Sequence, residues 1–188
     1  MWEETMRIIE QTELFVDAKN RACKEIHNCI LSFTGGFDVP LQKVRSLDWH
    51  YPSHNELLSI LFSQDQQHVY GYSTHIQAQL PRIIELLSHD AYTRKAIITF
   101  PHEDARLHIT PSLIAFHFKI RAKKLFVTVT ARSIELFIGF PANLYQASAI
   151  ARHVAEKLSI PVAQIDFFIH NAHLYEQFSS YRQKILRE

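Results

Sequence analysis

Leu125, Val127 and Val129 alternate with Phe126, Thr128 and Thr130, a period-two, β-branched pattern that predicts a strand. The chain continues Ala131-Arg132-Ser133-Ile134-Glu135-Leu136-Phe137-Ile138-Gly139-Phe140-Pro141-Ala142-Asn143. Apolar positions then recur at helical spacing, with Leu144, Ala147, Ile150, Ala151, Val154 and Leu158 on one face, predicting a long helix over 141–158. Gly139 permits the turn into it, and Pro141 suits a first helical position. Arg132 and Asn143 therefore stand at opposite ends of a strand–turn–helix joint. Arg132 offers a permanently charged fork for phosphate, and Asn143 one acceptor and two donor hydrogens for a base edge.

The same reading places a helix from Trp2 to about Leu14 and a strand from Glu25 to Phe33, with His27, Cys29, Leu31 and Phe33 on one face. Residues 37–51 read as loop. Pro52 opens a second helix, where Ser53 and Glu56 have the spacing of a capping box. Gln79–Leu87 reads as a helix with the apolar stripe Leu80, Ile83, Ile84 and Leu87, and with Pro81 in its first turn. An apolar strand spans 109–118, and Lys119–Lys124 forms a charged turn. Strand Val162–His170 and a polar helix over 175–188 complete the chain.

Arg132-Ser133-Ile134-Glu135-Leu136-Phe137-Ile138-Gly139-Phe140-Pro141-Ala142-Asn143 resembles the thymidylate synthase segment Arg-Ser-x-Asp-hydrophobic-x-x-Gly-x-Pro-x-Asn. Glutamate replaces the family's aspartate at Glu135. Ala172-His173-Leu174-Tyr175 is similar to the family's Ala-His-hydrophobic-Tyr, whose histidine and tyrosine hold the ribose hydroxyl. The resemblance covers about 53–177 and implies one domain over 1–188. Its fold would be α/β (α+β), a mixed twisted sheet packed against the long central helix.

The resemblance also assigns roles. Arg21 stands near the arginine loop that grips the nucleotide phosphate, without the usual threonine–glycine alternation after it. Arg94 and Lys95 match the arginine pair that reaches across a dimer interface to the partner's phosphate, although lysine lacks the guanidinium fork. Glu56 followed by Leu57-Leu58 matches a glutamate that relays protons through water to the pyrimidine. Ser112, after Pro111, occupies the place of the nucleophilic cysteine, which adds to C6 of uracil and activates C5. A serine hydroxyl needs an adjacent base where a thiol does not, and no histidine–acid pair is visible in sequence beside Ser112, although His108 and His117 are near. The tryptophan-bearing insert expected between Phe62 and Tyr70-Gly71 and the tail that closes over folate have no counterpart here, which weakens the expectation of folate binding.

Composition narrows the alternatives. A formal net charge of +1 argues against a nucleic-acid partner, and only four glycines argue against a glycine-rich phosphate loop. No apolar run reaches the roughly 18 residues of a membrane span, and Met1-Trp2-Glu3-Glu4 does not read as a signal peptide. Cys23 and Cys29 would sit roughly 20 Å apart on one strand, too far for a disulfide. Free thiols and no export signal give a cytoplasmic expectation. The pairs His50/His54 and His170/His173 lack the further ligands of a metal site, so no metal is expected.

Three functions remain. The favoured one is a thymidylate synthase-like protein that binds a pyrimidine nucleoside monophosphate such as dUMP, with C5 methyl transfer lost or altered. The second is an active methyltransferase or hydroxymethylase using methylenetetrahydrofolate, and the third a structural oligomerisation module. Losses fall on the nucleophile and the folate parts, while Arg132, Ser133, Asn143, His173 and Tyr175 remain. The apolar strands around Phe116, Phe118, Val127 and Val129 are expected to be covered by a second subunit, giving a homodimer.

Overall fold

The computed structural model describes residues 1–47, 50–62, 72–100 and 110–187. Its described strands form one twisted, mixed sheet in the order β1-β2-β7-β5-β4-β3, with β6 paired to β7. The strands are β1 (Phe15–Val16), β2 (Ala22–Phe33), β3 (Ile97–Thr99), β4 (Leu113–Arg121), β5 (Lys124–Ala131), β6 (Ile134–Glu135) and β7 (Val162–Tyr175). The helices are α1 (Trp2–Glu10), α2 (Val39–Arg45), α3 (His54–Phe62), α4 (Tyr72–His89), α5 (Gly139–Lys157) and α6 (Ser179–Leu186). This is the α/β fold with a long central helix that the sequence implied.

β5 and β7 run parallel, and α5 is the crossover between them. All other full-length pairings are antiparallel, and the tight β4–β5 hairpin is made by Ala122 and Lys123, both at positive φ. The face built from Phe116 and Phe118 of β4, Val127 and Val129 of β5, and Ile165, Phe167 and Ile169 of β7 is fully buried. Helices α4 and α5 of the same chain pack there. The expectation that Phe116, Phe118, Val127 and Val129 await a second subunit is thereby corrected. Alternation identifies residues that share a face but not what covers it.

The opposite face carries Thr128, Thr130, Phe126 and Phe168, all half-buried, and Ile30, which is 63% exposed. No helix in the described residues is long and apolar enough to cross a membrane.

Several element boundaries differ from expectation. Residues 37–51 contain α2, which has Pro40 in its first turn and buries Pro40 and Leu41 with Val44 one turn on. α4 begins earlier, so Pro81 lies inside it rather than in its first turn. α1 stops at Glu10, and β7 runs on through His173 to Tyr175. The terminal segment is a short 3-10 turn followed by α6, in which Arg182 and Ile185 are buried. The readings that concern His108, Ile109, Tyr70 and Gly71 lie outside the described residues.

Candidate active site

Past Ile169 the burial alternation of β7 changes phase. Ala172 and Leu174 join the core cluster of Ile165, Phe167 and Ile169, while Asn171, His173 and Tyr175 are half-buried. β6 pairs with this extension, placing Glu135 opposite His173. The chain then turns into α5. Leu136 is held by its N–H to the His173 carbonyl at 2.9 Å and by the Trp2 indole donating to its carbonyl at 2.6 Å. A cavity of about 450 Å³ opens at this joint. Of the residues singled out from sequence, Arg21, Ser112, Arg132, Ser133, Asn143, His173 and Tyr175 line it. Lys19 and Glu135 line it as well, and sequence reasoning assigned neither a role.

The cavity's two arginines are held differently. Arg21 donates from Nε and Nη2 to Asp17 Oδ2 at 2.9 and 2.7 Å, and its guanidinium carbon lies 4.1 Å from the centroid of the Tyr175 ring. Its hydrogen bonds hold the Asp17 carboxyl at about 2, so Arg21 meets a ligand with its charge already paired. Arg132 instead donates to two main-chain carbonyls, from Nε to Pro111 at 2.9 Å and from Nη2 to Thr110 at 2.7 Å. Its own N–H donates to the Ser112 carbonyl at 2.9 Å. Arg132 thus pins the segment that carries Ser112, and among the described residues no carboxylate pairs with it. Full positive charge remains for an anion.

His173 Nδ1 lies 3.2 Å from both Ser133 Oγ and Asn171 Oδ1. Burial lowers the His173 pKa below the ordinary histidine value, so the ring is neutral at neutral pH. Burial also raises Tyr175 above the usual phenol value. Behind the site Arg182, with no exposed surface, donates to the Tyr175 carbonyl at 3.0 Å and to Glu10 Oε1 at 2.5 Å, tying α6 and α1 to the end of β7.

Glu135 is the cavity's one carboxylate among the described residues. Its Oε2 accepts from the Ile138 N–H at 2.6 Å and the Gly139 N–H at 3.4 Å, at the start of α5. Oε1 is buried without a hydrogen-bond partner. Burial raises its pKa to about 7 against the opposing pull of those two N–H groups. The sequence signal was the aspartate-to-glutamate departure in the motif.

Ser112 stands at the cavity wall, and among the described residues no base is hydrogen-bonded to its hydroxyl. Glu56 is not in the lining. It sits exposed at the start of α3, where its Oε2 accepts from Ser53 N–H at 2.7 Å and its own N–H donates to Ser53 Oγ at 3.2 Å. Arg94 and Lys95 lie exposed just before the edge strand β3, and a single chain does not bring them to the cavity.

The sequence model described as "Thymidylate synthase" matches residues 22–188. The chain belongs to the thymidylate synthase family. A protein of Methanosarcina mazei, named "Putative thymidylate synthase", is 32% identical over 100 residues, covering 52% of this chain and 46% of that one. A protein of the same name from Methanosarcina barkeri is 30% identical over 127 residues, covering 64% and 58%. A thymidylate synthase of Fusobacterium nucleatum is 28% identical over 103 residues, covering 54% and 38%. The chain thus spans about half the length of the curated relatives it matches. The thymidylate synthase fold accounts for the joint: the cavity forms where β6 and α5 leave the sheet beside the extended end of β7.

Proposed function

We propose that this thymidylate synthase-like chain binds a pyrimidine nucleoside monophosphate in the joint cavity and does not activate C5 of the ring. One observation carries the reading: groups suited to phosphate, sugar and base line a single cavity. Arg132 supplies unpaired charge for the phosphate, with Arg21 and Lys19 beside it. His173 and Tyr175 suit a sugar hydroxyl. Asn143 can donate to a uracil O4 while accepting from N3–H, whereas cytosine would demand the reverse, so dUMP should bind more tightly than dCMP.

Ser112 would face the ring without a hydrogen-bonded base, and an unassisted hydroxyl stays protonated at neutral pH. Titration calorimetry and release of tritium from C5-labelled dUMP test both halves. Binding without tritium release is the expected result. Ser112→Cys should keep the affinity, and robust release by the unaltered protein would establish C6 addition and favour the folate-dependent enzyme. Arg132→Ala should weaken dUMP by about 1.5–3 kcal/mol. Failure to bind either nucleotide would leave the oligomerisation module.

Assembly as a homodimer belongs to the same reading. Its interface would be the uncovered sheet face around Thr128, Phe126, Phe168 and Ile30, and it would give Arg94 and Lys95 a partner's cavity to reach. Sedimentation at micromolar concentration should return twice the chain mass of 21.9 kDa, and a single-chain mass would refute it.

A further inference from the structure

Glu25, on β2, lies outside the cavity lining, yet it is bonded to a residue that is bonded to His173. It faces His173 across the β2–β7 pair, and its Oε2 accepts from Asn171 Nδ2 at 2.5 Å. Its Oε1 faces His27 Nε2 at 2.9 Å. Burial would raise its pKa, but the hydrogen bonds from Asn171 and His27 hold it below the ordinary value, so Glu25 is ionised at neutral pH. An ionised carboxylate only accepts. The Asn171 amide must therefore turn its NH₂ toward Glu25 and its carbonyl oxygen toward Ser133 and His173, an orientation fixed by chemistry.

Three polar atoms then form a triangle with sides of 3.2 Å: Asn171 Oδ1, Ser133 Oγ and His173 Nδ1. Asn171 Oδ1 carries no hydrogen. The serine brings one, and it donates to Oδ1. A bare Nδ1 would place two lone pairs 3.2 Å apart with no proton between them. A proton on Nδ1 satisfies all three atoms, and in a neutral ring Nε2 is then a bare acceptor. Among the described residues no group donates to Nε2.

We propose that Glu25 is a positioning residue for this cavity: through Asn171 it fixes the His173 proton on Nδ1 and presents Nε2 as an acceptor for a ligand hydroxyl. The ligand part rests on the nucleotide reading above, where the hydroxyl is that of the sugar; the tautomer part does not. Glu25→Ala frees the Asn171 amide to flip, and a flipped amide donates to His173 Nδ1 and drives the proton to Nε2. Glu25→Gln retains an oxygen that can accept from Asn171.

Long-range ¹H–¹⁵N correlation on the free protein at neutral pH reads the tautomer, with His173→Gln used to assign the signal. The wild type should show the Nδ1–H form, Glu25→Ala a mixture of both forms, and Glu25→Gln the wild-type pattern. A wild type in the Nε2–H form, or an unchanged Nδ1–H form in Glu25→Ala, overturns the proposal. Calorimetry supplies the ligand part. Glu25→Ala should bind dUMP about threefold to tenfold more weakly, the worth of one hydrogen bond, and should bind its 3′-deoxy analogue as the wild type does. Equal losses for the two ligands would show a general disturbance and overturn the hydroxyl assignment. If the wild type binds neither ligand, the nucleotide reading fails, and the spectrum alone still decides whether Glu25 sets His173.

Discussion

Glu56 and Glu135 both accept from main-chain N–H groups at the start of a helix, Glu56 reaching back from inside α3 to Ser53 and Glu135 reaching forward from β6 to Ile138 and Gly139. They differ in opposite senses. At α3 the carboxylate is exposed, and its hydrogen bonds to Ser53 hold it below the ordinary value. At α5 the carboxylate is 9% exposed, and burial overrides the hydrogen bonds and lifts it to about 7. A helix N-terminus favours the charged form in both places. Solvation decides which sign survives. The carboxyl at the cavity is thus the one able to hold a proton near neutral pH, and the carboxyl that sequence reasoning assigned to proton relay is fully ionised there.

The largest expected effect follows from Glu135. Its folded value of about 7 lies above its ordinary value of 4.5, so between the two the unfolded chain gives up a proton that the folded chain keeps. The folded state is therefore favoured below about pH 4.5 and loses that advantage as pH rises through about 7. The shift corresponds to about 3 kcal/mol if it is fully expressed. Urea unfolding at pH 5 and pH 8 should show this fall in the wild type, after other titrations are removed by comparison with Glu135→Gln, which should lack it. Identical pH profiles for the two proteins would mean that Glu135 is solvated and the contrast with Glu56 false.

A smaller effect belongs to the other helix. Ser53→Ala removes the hydroxyl that accepts from the Glu56 N–H, and should lower stability by about 1 kcal/mol, the usual cost of losing such a cap. The loss should be the same at pH 6 and pH 8, because Glu56 is ionised at both. A pH-dependent loss in that window would place Glu56 in a less solvated setting than its exposure shows.

The site was legible in the sequence where it is built from contiguous pattern. The alternation through Val129, the turn at Gly139 and the helical spacing from Leu144 put Arg132, Ser133 and Asn143 at one joint, and the structure has them there. His173 and Tyr175 join them because β7 runs five residues past the strand expected to end at His170, a length that periodicity over polar residues does not signal. Solvation was not legible. The letters of the motif mark Glu135 as a departure, but its burial depends on α5, β7 and Tyr51, whose hydroxyl donates to the Ile138 carbonyl. Glu25 was equally hidden, since it reaches His173 through a residue 146 positions away. The covered sheet face was misassigned for the same reason: alternation sorts side chains into two sets, and only the path of α4 and α5 shows which set meets water.

The smallest expected effect is the one that tests the comparison most narrowly. Glu56→Gln keeps an oxygen that can accept from the Ser53 N–H and removes only the charge. Glu56 lies outside the cavity lining, and its carboxylate is turned back on its own helix. The affinity for dUMP should therefore be unchanged by calorimetry. Stability should also match the wild type more closely as pH falls, because a carboxyl held below its ordinary value stabilises the fold only while ionised, and that contribution is lost in the wild type as pH drops through the depressed value. A loss of dUMP affinity as large as that from Arg132→Ala would mean that Glu56 leaves its cap to meet the ligand. The two glutamates would then act on one bound molecule, and the division between a structural and a cavity carboxyl would fall.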